Sequence, residues 1–228
     1  MDDFNNEVII DTGSQNKIFG KTFFWMFLGL LGTAIISAYT YYSGLCFNLI
    51  SDGYWGGILI LELLVVILFS LFFRKLSPVA VGILYFAYSM INGITLSTIF
   101  AIFELNSIIY LFIISSLIFA VLGFIGYKTN KDLSKFGTYL MVFLIAGLIL
   151  SIINLFFVKS TGFDLLLDWV ILLVFFGVTV YDINKIKELQ VDPSLNSDKI
   201  HIYCAMQLYL DFINIFIRIL SIFGKRRD

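Results

Sequence analysis

Seven apolar stretches, near 22–42, 54–73, 79–103, 107–127, 136–158, 165–187 and 201–222, run through this chain with only short polar connections such as RKLSP at 74–78 and ELN at 104–106. A bilayer core about 30 Å thick takes roughly 20 apolar residues of helix to cross, and inside it every backbone N–H and C=O must be bonded within its own segment. The chain is therefore read as an all-α integral membrane protein with seven transmembrane helices. Composition agrees: 60% of the 228 residues are hydrophobic and 14% charged, where soluble domains run near 45–50% apolar and about 25% charged. Three regions follow: a polar N-terminal segment at 1–21, one seven-helix transmembrane domain at 22–223, and a basic tail at 224–228. Residues 1–21 lack the basic start and short apolar run of a cleavable signal peptide, so the first apolar helix is expected to stay in the protein.

Fifteen Lys and Arg against sixteen Asp and Glu give a net charge of −1, which excludes an electrostatic nucleic-acid binder. The lipid bilayer is the first partner to expect. Two cysteines, Cys46 and Cys204, and one histidine, His201, make neither a disulfide framework nor a Cys/His metal site, and both cysteines read as small apolar residues. No HExxH, Gly-x-Ser-x-Gly or phosphate loop is present, and no aspartate stands in the GxGD setting of intramembrane aspartyl proteases. The chain reads as a non-enzyme with no tightly bound cofactor.

Lysine and arginine bias connections to the cytoplasmic side. A cytoplasmic N-terminus in a multi-pass protein of the cell membrane puts Lys17, Lys21, Arg74, Lys75, Lys128, Lys131, Lys135, Lys185, Lys187 and Lys199 inside and leaves Lys159 outside. The terminal Lys225, Arg226 and Arg227 then fall outside if the seventh segment crosses fully, against the same bias. Residues 201–222 are long enough to cross, and early charges orient a chain more strongly than late ones, so crossing is preferred to re-entry.

An ionisable side chain in a membrane segment is costly and is a functional candidate by default. Four were weighed. Glu62 stands about eight residues into the second span, where the plainer reading is a neutral acid hydrogen-bonded to a neighbouring helix. Arg218, near the end of the last span, reads as an interfacial anchor whose long stem snorkels. Asp182 stands near the end of the sixth span and Asp211 deeper in the seventh. At 1.5 Å per residue they lie ~8 Å and ~15 Å from the loop joining their helices, so fraying and tilt can bring them together. The competing reading makes Asp182 an interfacial cap paired with Lys185 or Lys187.

The strings VYDINKIKEL at 180–189 and QLYLDFINIFIRIL at 207–220 resemble the C-terminal signature of the transmembrane Bax inhibitor motif family, bacterial branch. NGITLSTIF at 92–100 is similar to that family's third-helix motif, and MFLGLLGTAIISAY at 26–39 to its first helix. The resemblance implies seven helices, the last central and wrapped by the other six, and a pH-sensitive calcium leak as the activity. It also implies that Asp182 and Asp211 share a proton and gate the pore, and that an arginine at the cytoplasmic end of the second helix latches onto them. Spacing leaves Arg74 and Lys75 both open for that latch. Arg74 is preferred because a guanidinium can hold two carboxylates bidentately and an ammonium is a point charge.

The chemistry is self-consistent. Two carboxyl groups within hydrogen-bond reach in a low dielectric cannot both ionise cheaply, so the pair holds one proton over a wide pH range. Calcium takes six to eight oxygen ligands; Asp182 and Asp211 are the expected metal-binding pair, with Asn184 and Asn214 as nearby oxygens. Glu62 and Arg218 complete the accessory residues. Such a site binds weakly, as a leak requires, with calcium as transported ion and protons as competitors. Gly82, Gly93, Gly123, Gly126, Gly147 and Gly177 read as close-packing positions between helices. Two other functions use the same features: a membrane interaction protein that regulates a protease or a cell-death or stress partner, and a proton-coupled cation exchanger.

Overall fold

The computed structural model describes residues 12–189 and 197–227. Nine α-helices form among them: α1 (Thr12–Tyr42), α2 (Leu45–Ser51), α3 (Trp55–Phe72), α4 (Pro78–Leu96), α5 (Thr98–Ile102), α6 (Leu105–Lys128), α7 (Ser134–Ile153), α8 (Thr161–Leu189) and α9 (Ser197–Phe223). A π-helical turn, Asn154–Val158, extends α7. Seven spans long and apolar enough to cross a membrane result, with α4 and α5 sharing one of them. Their C-terminal ends fall within one residue of those read from hydropathy and their starts within four.

Local chemistry explains the interruptions. Ser77 caps α4, its hydroxyl accepting the Ala80 N–H at 3.2 Å, with Pro78 in the first turn where its missing N–H costs nothing. Three hydroxyl residues then loosen the end of that helix. The hydroxyls of Thr95, Ser97 and Thr98 donate to the carbonyls of Asn92, Ile94 and Thr95 at 2.9, 2.6 and 3.0 Å, competing with the backbone ladder at the α4–α5 junction. Between α7 and α8, the buried Asn154 side chain donates to Ser160 O at 3.0 Å and to Asp164 Oδ1 at 2.5 Å, closing a tight connection in which Lys159 takes a φ of 53°.

The last helix is the most buried of the seven spans. Of its most apolar stretch 56% is buried, against 11% for α3 and for α7. It packs along α1, α4, α6 and α8, while α3 lies against α4 and α7 against α8. Tyr209 meets the rings of Tyr85 and Tyr88 edge-on at 6.0 and 5.9 Å, and Phe212 meets Phe112 and Phe119 at 5.2 and 5.6 Å. Each such pair contributes about 0.5–1.5 kcal/mol beyond its buried area. The outward faces of α3, α6 and α7 carry exposed Leu, Ile, Phe and Tyr, as a lipid-facing surface requires.

Glycines bring the helices close. A Cβ on Gly93 would lie 2.8 Å from Thr33 O of α1, and one on Gly126 would lie 2.6 Å from Val180 O of α8. Gly82 differs from the other glycines expected to pack: a Cβ there would make only ordinary contacts at 3.7 Å and beyond.

The last helix crosses the whole bundle. At its start Lys199 Nζ donates to Arg74 O at 3.2 Å, beside the α3–α4 connection. At its end the tail lies along the α5–α6 connection, with Glu104 N donating to Lys225 O and Arg227 N to Ile102 O, both at 2.9 Å. Lys225 Nζ also pairs with Glu104 at 2.6 Å, and Arg227 donates to the Tyr41 hydroxyl at 2.5 Å.

Candidate functional site

Helices α8 and α9 are antiparallel neighbours, and they bring Asp182 and Asp211 into each other's electric field. The Asp211 side chain is buried at 3% exposure, its Oδ2 meets no hydrogen-bond partner, and the Thr179 hydroxyl of α8 lies beside its carboxyl group. Asp182 is half-buried one helical turn beyond Thr179. A buried carboxyl oxygen without a donor is costly and is retained where a proton or a cation can use it.

Among the described residues the ion pairs are Arg218–Asp168 and Lys225–Glu104, so neither Lys185 nor Lys187 closes a salt bridge on Asp182. Lys185 donates to the Tyr181 hydroxyl at 3.1 Å, although its charge does reach Asp182, and Lys187 donates to Thr129 O at 2.9 Å. Arg74 is exposed at the same end of the bundle. Tyr203 stands among these groups: the charges of Lys185, Asp182 and Arg74 all act on its hydroxyl. Its ring stacks on Phe73 at 3.9 Å and on Phe69 at 6.1 Å, fastening the end of α3 to α9. Sequence reading passed over Tyr203, whose signal is its place two turns before Asp211 on the same helix.

The accessory residues divide. Asn184 faces α6, where its amide donates to Thr129 O at 2.5 Å, so it closes the end of that helix and does not extend the aspartate pair. Asn214 turns back on its own helix to Leu210 O at 2.8 Å. Arg218 is an ion-pair partner within the bundle, where a snorkelling anchor was expected: its Nη1 reaches Asp168 Oδ1 at 2.5 Å. Asp168, also held by Ser221 at 2.5 Å, is a buried acid that the hydropathy reading of 165–187 left unweighed. Two polar residues at matched distances from one end of adjacent spans were the available signal.

Glu62 has the neighbouring-helix partners that its plainer reading requires. Tyr88 donates to its Oε1 at 3.2 Å and the Asn92 amide donates to the same oxygen. Asn92 Oδ1 accepts the Tyr209 hydroxyl at 2.8 Å, and Tyr209 shares a 2.6 Å hydrogen bond with Thr33, so one polar chain joins α3, α4, α9 and α1.

No group of three or more His, Cys, Asp or Glu able to hold a metal converges among the described residues. The unfilled Asp211 Oδ2 is an acceptor open to a proton or a cation.

The family described as Inhibitor of apoptosis-promoting Bax1 matches residues 15–228. The chain is 34% identical, over the full length of both, to Inner membrane protein YbhL of Escherichia coli strain K12. It is 32% identical to an uncharacterized protein of Borreliella burgdorferi over 94% of each chain. To an uncharacterized protein of Rickettsia prowazekii it is 30% identical, over 96% of this chain and 97% of that one.

Proposed function

This multi-pass membrane protein belongs to the Inhibitor of apoptosis-promoting Bax1 family, and on that premise we propose that it is a pH-sensitive calcium leak channel gated by Asp182 and Asp211. The observation that carries the reading is the unpartnered, buried Oδ2 of Asp211 within the field of Asp182. Two acids so placed share a proton when the site is closed to cations. Calcium entering from either end competes for their oxygens, and with so few fixed ligands it leaves readily. Arg74, or Lys75 beside it, acts at the mouth as the latch, drawn to the pair while it carries charge and released as the pair takes up protons. The N-terminus and the 188–200 connection lie in the cytoplasm, in keeping with the distribution of lysine and arginine.

Calcium entry into dye-loaded liposomes containing the purified protein, followed across pH, tests this reading. Asp211→Asn and Asp182→Asn should each abolish the pH dependence of flux. If Asp182→Asn leaves that dependence intact, Asp182 is an interfacial cap and the paired gate is wrong.

A further inference from the structure

The face of the bundle between α1 and α4 holds an open apolar groove of about 830 Å³, floored by α9 at Ile202. Its α4 wall runs from Pro78 to Met90, a length of about 18 Å at 1.5 Å per residue. That is close to one leaflet of a core about 30 Å thick. Trp25 and Phe86, with ring centroids 5.5 Å apart, line its middle, and the exposed Ile83 forms one lip. Gly82 keeps the floor open, because its missing side chain leaves space that no neighbour fills: Ile202 Cδ1 would be 3.7 Å and Trp25 Cη2 3.9 Å from a Cβ there.

Charge is confined to one end. Lys21 lines the groove near the start of the first span, exposed, and the ion pairs among the described residues lie elsewhere. Arg74 and Lys75, also exposed, precede Pro78 in the connection that Lys199 touches, so the rim beside Lys21 is cationic. A second apolar groove, of about 510 Å³ between α1 and α6, has no charged residue in its lining. The α1–α4 groove therefore combines the length of one leaflet, an apolar bed and a cation at headgroup depth, which is the complement of a phosphodiester on an acyl chain.

We propose that this groove is a binding site for an anionic glycerophospholipid of the leaflet at the Lys21 end. The phosphate sits on Lys21, and one acyl chain lies along Trp25, Gly82, Ile83 and Phe86.

Native mass spectrometry of the full chain, titrated with phosphatidylglycerol and with phosphatidylcholine of the same acyl chains, tests it without reference to ion flux. A lysine at an anionic lipid headgroup contributes about 1 kcal/mol, so the wild type should retain phosphatidylglycerol roughly fivefold over phosphatidylcholine. Lys21→Gln, an exposed change that leaves helix packing alone, should bring the two lipids to near parity. Gly82→Leu, which fills the floor, should lose both lipids and with them the rise in melting temperature that phosphatidylglycerol gives the wild type. Equal retention of both lipids by the wild type, or an unchanged preference in Lys21→Gln, overturns the proposal. So does unchanged phosphatidylglycerol retention in Gly82→Leu.

Discussion

Arg218 of α9 and Asp168 of α8 form an ion pair of 2.5 Å inside the bundle, and the second oxygen of Asp168 takes the Ser221 hydroxyl. The aspartate side chain is 9% exposed and the arginine 29%. Removing one member of a buried pair leaves the other charge uncompensated, at about 3–5 kcal/mol, and the greater exposure of the arginine lowers this to about 2–3 kcal/mol. Asp168→Ala should therefore unfold well below the wild type in a detergent thermal-shift measurement. Asp168→Leu with Arg218→Met should recover most of that loss. A double variant no better than the single one would mean that the pair contributes more than its mutual neutralisation.

Tyr209 joins two hydrogen bonds, to Asn92 at 2.8 Å and to Thr33 at 2.6 Å, in a site with no exposed surface of its own. Tyr209→Phe keeps the ring packing against Tyr85 and Tyr88 and deletes only the hydroxyl. The Asn92 oxygen is then left without its donor, a cost of about 1–3 kcal/mol. The variant should melt earlier, and Tyr209→Phe combined with Asn92→Leu should cost less than the sum of the two single changes.

Two glycines and a third should separate cleanly. Gly93→Ala and Gly126→Ala each force a methyl against a backbone carbonyl, which cannot rotate away, and should cost about 1–3 kcal/mol in thermal stability. Gly82→Ala meets nothing closer than 3.7 Å and should melt like the wild type. Equal losses at all three sites would refute the distinction between packed and open positions.

Basal calcium flux compares the two candidate latches. A charge-assisted interaction contributes about 1.5–3 kcal/mol, which shifts an open fraction roughly ten- to a hundredfold. Arg74→Ala should raise resting leak in liposomes clearly, and Lys75→Ala should raise it less. If the lysine change alone opens the channel, the latch is Lys75; if neither does, there is no basic latch at this mouth.

Reporter fusions test the orientation. A reporter after residue 195 should behave as cytoplasmic and one after residue 228 as external, since α9 joins opposite ends of the bundle. Signals on the same side at both positions would contradict a full crossing.

The helices were legible because their physics is one-dimensional: a span ends where the apolar run ends, whatever it packs against. Rotation about a helix axis is not written that way. Asn184 lies two residues from Asp182 and so points to a different neighbour, α6, and no count of residues along the chain reveals which side chain faces which helix. Partners drawn from distant spans were equally hidden. Glu62 was legible as a buried acid needing a donor, but Tyr88 and Asn92 are fixed by how α4 lies on α3. Asp168 was missed because the apolar run around it is strong enough to hide one acid, and Arg218 was given the anchoring role that fits a lone cation. The aspartate pair itself came from motif resemblance and depth counting together, and the unfilled oxygen of Asp211 came only from the packed bundle.

The deep burial of α9 has a consequence for biogenesis. Of the seven spans described it leaves the ribosome after the other six, yet it brings Tyr209 to Asn92 and Thr33, and Arg218 and Ser221 to Asp168. Until it inserts, the earlier spans hold those polar groups in lipid without their native partners, so the bundle cannot settle in the order in which it is made. A nascent chain halted before α9 differs from one that carries it by unsatisfied polar groups within the bilayer.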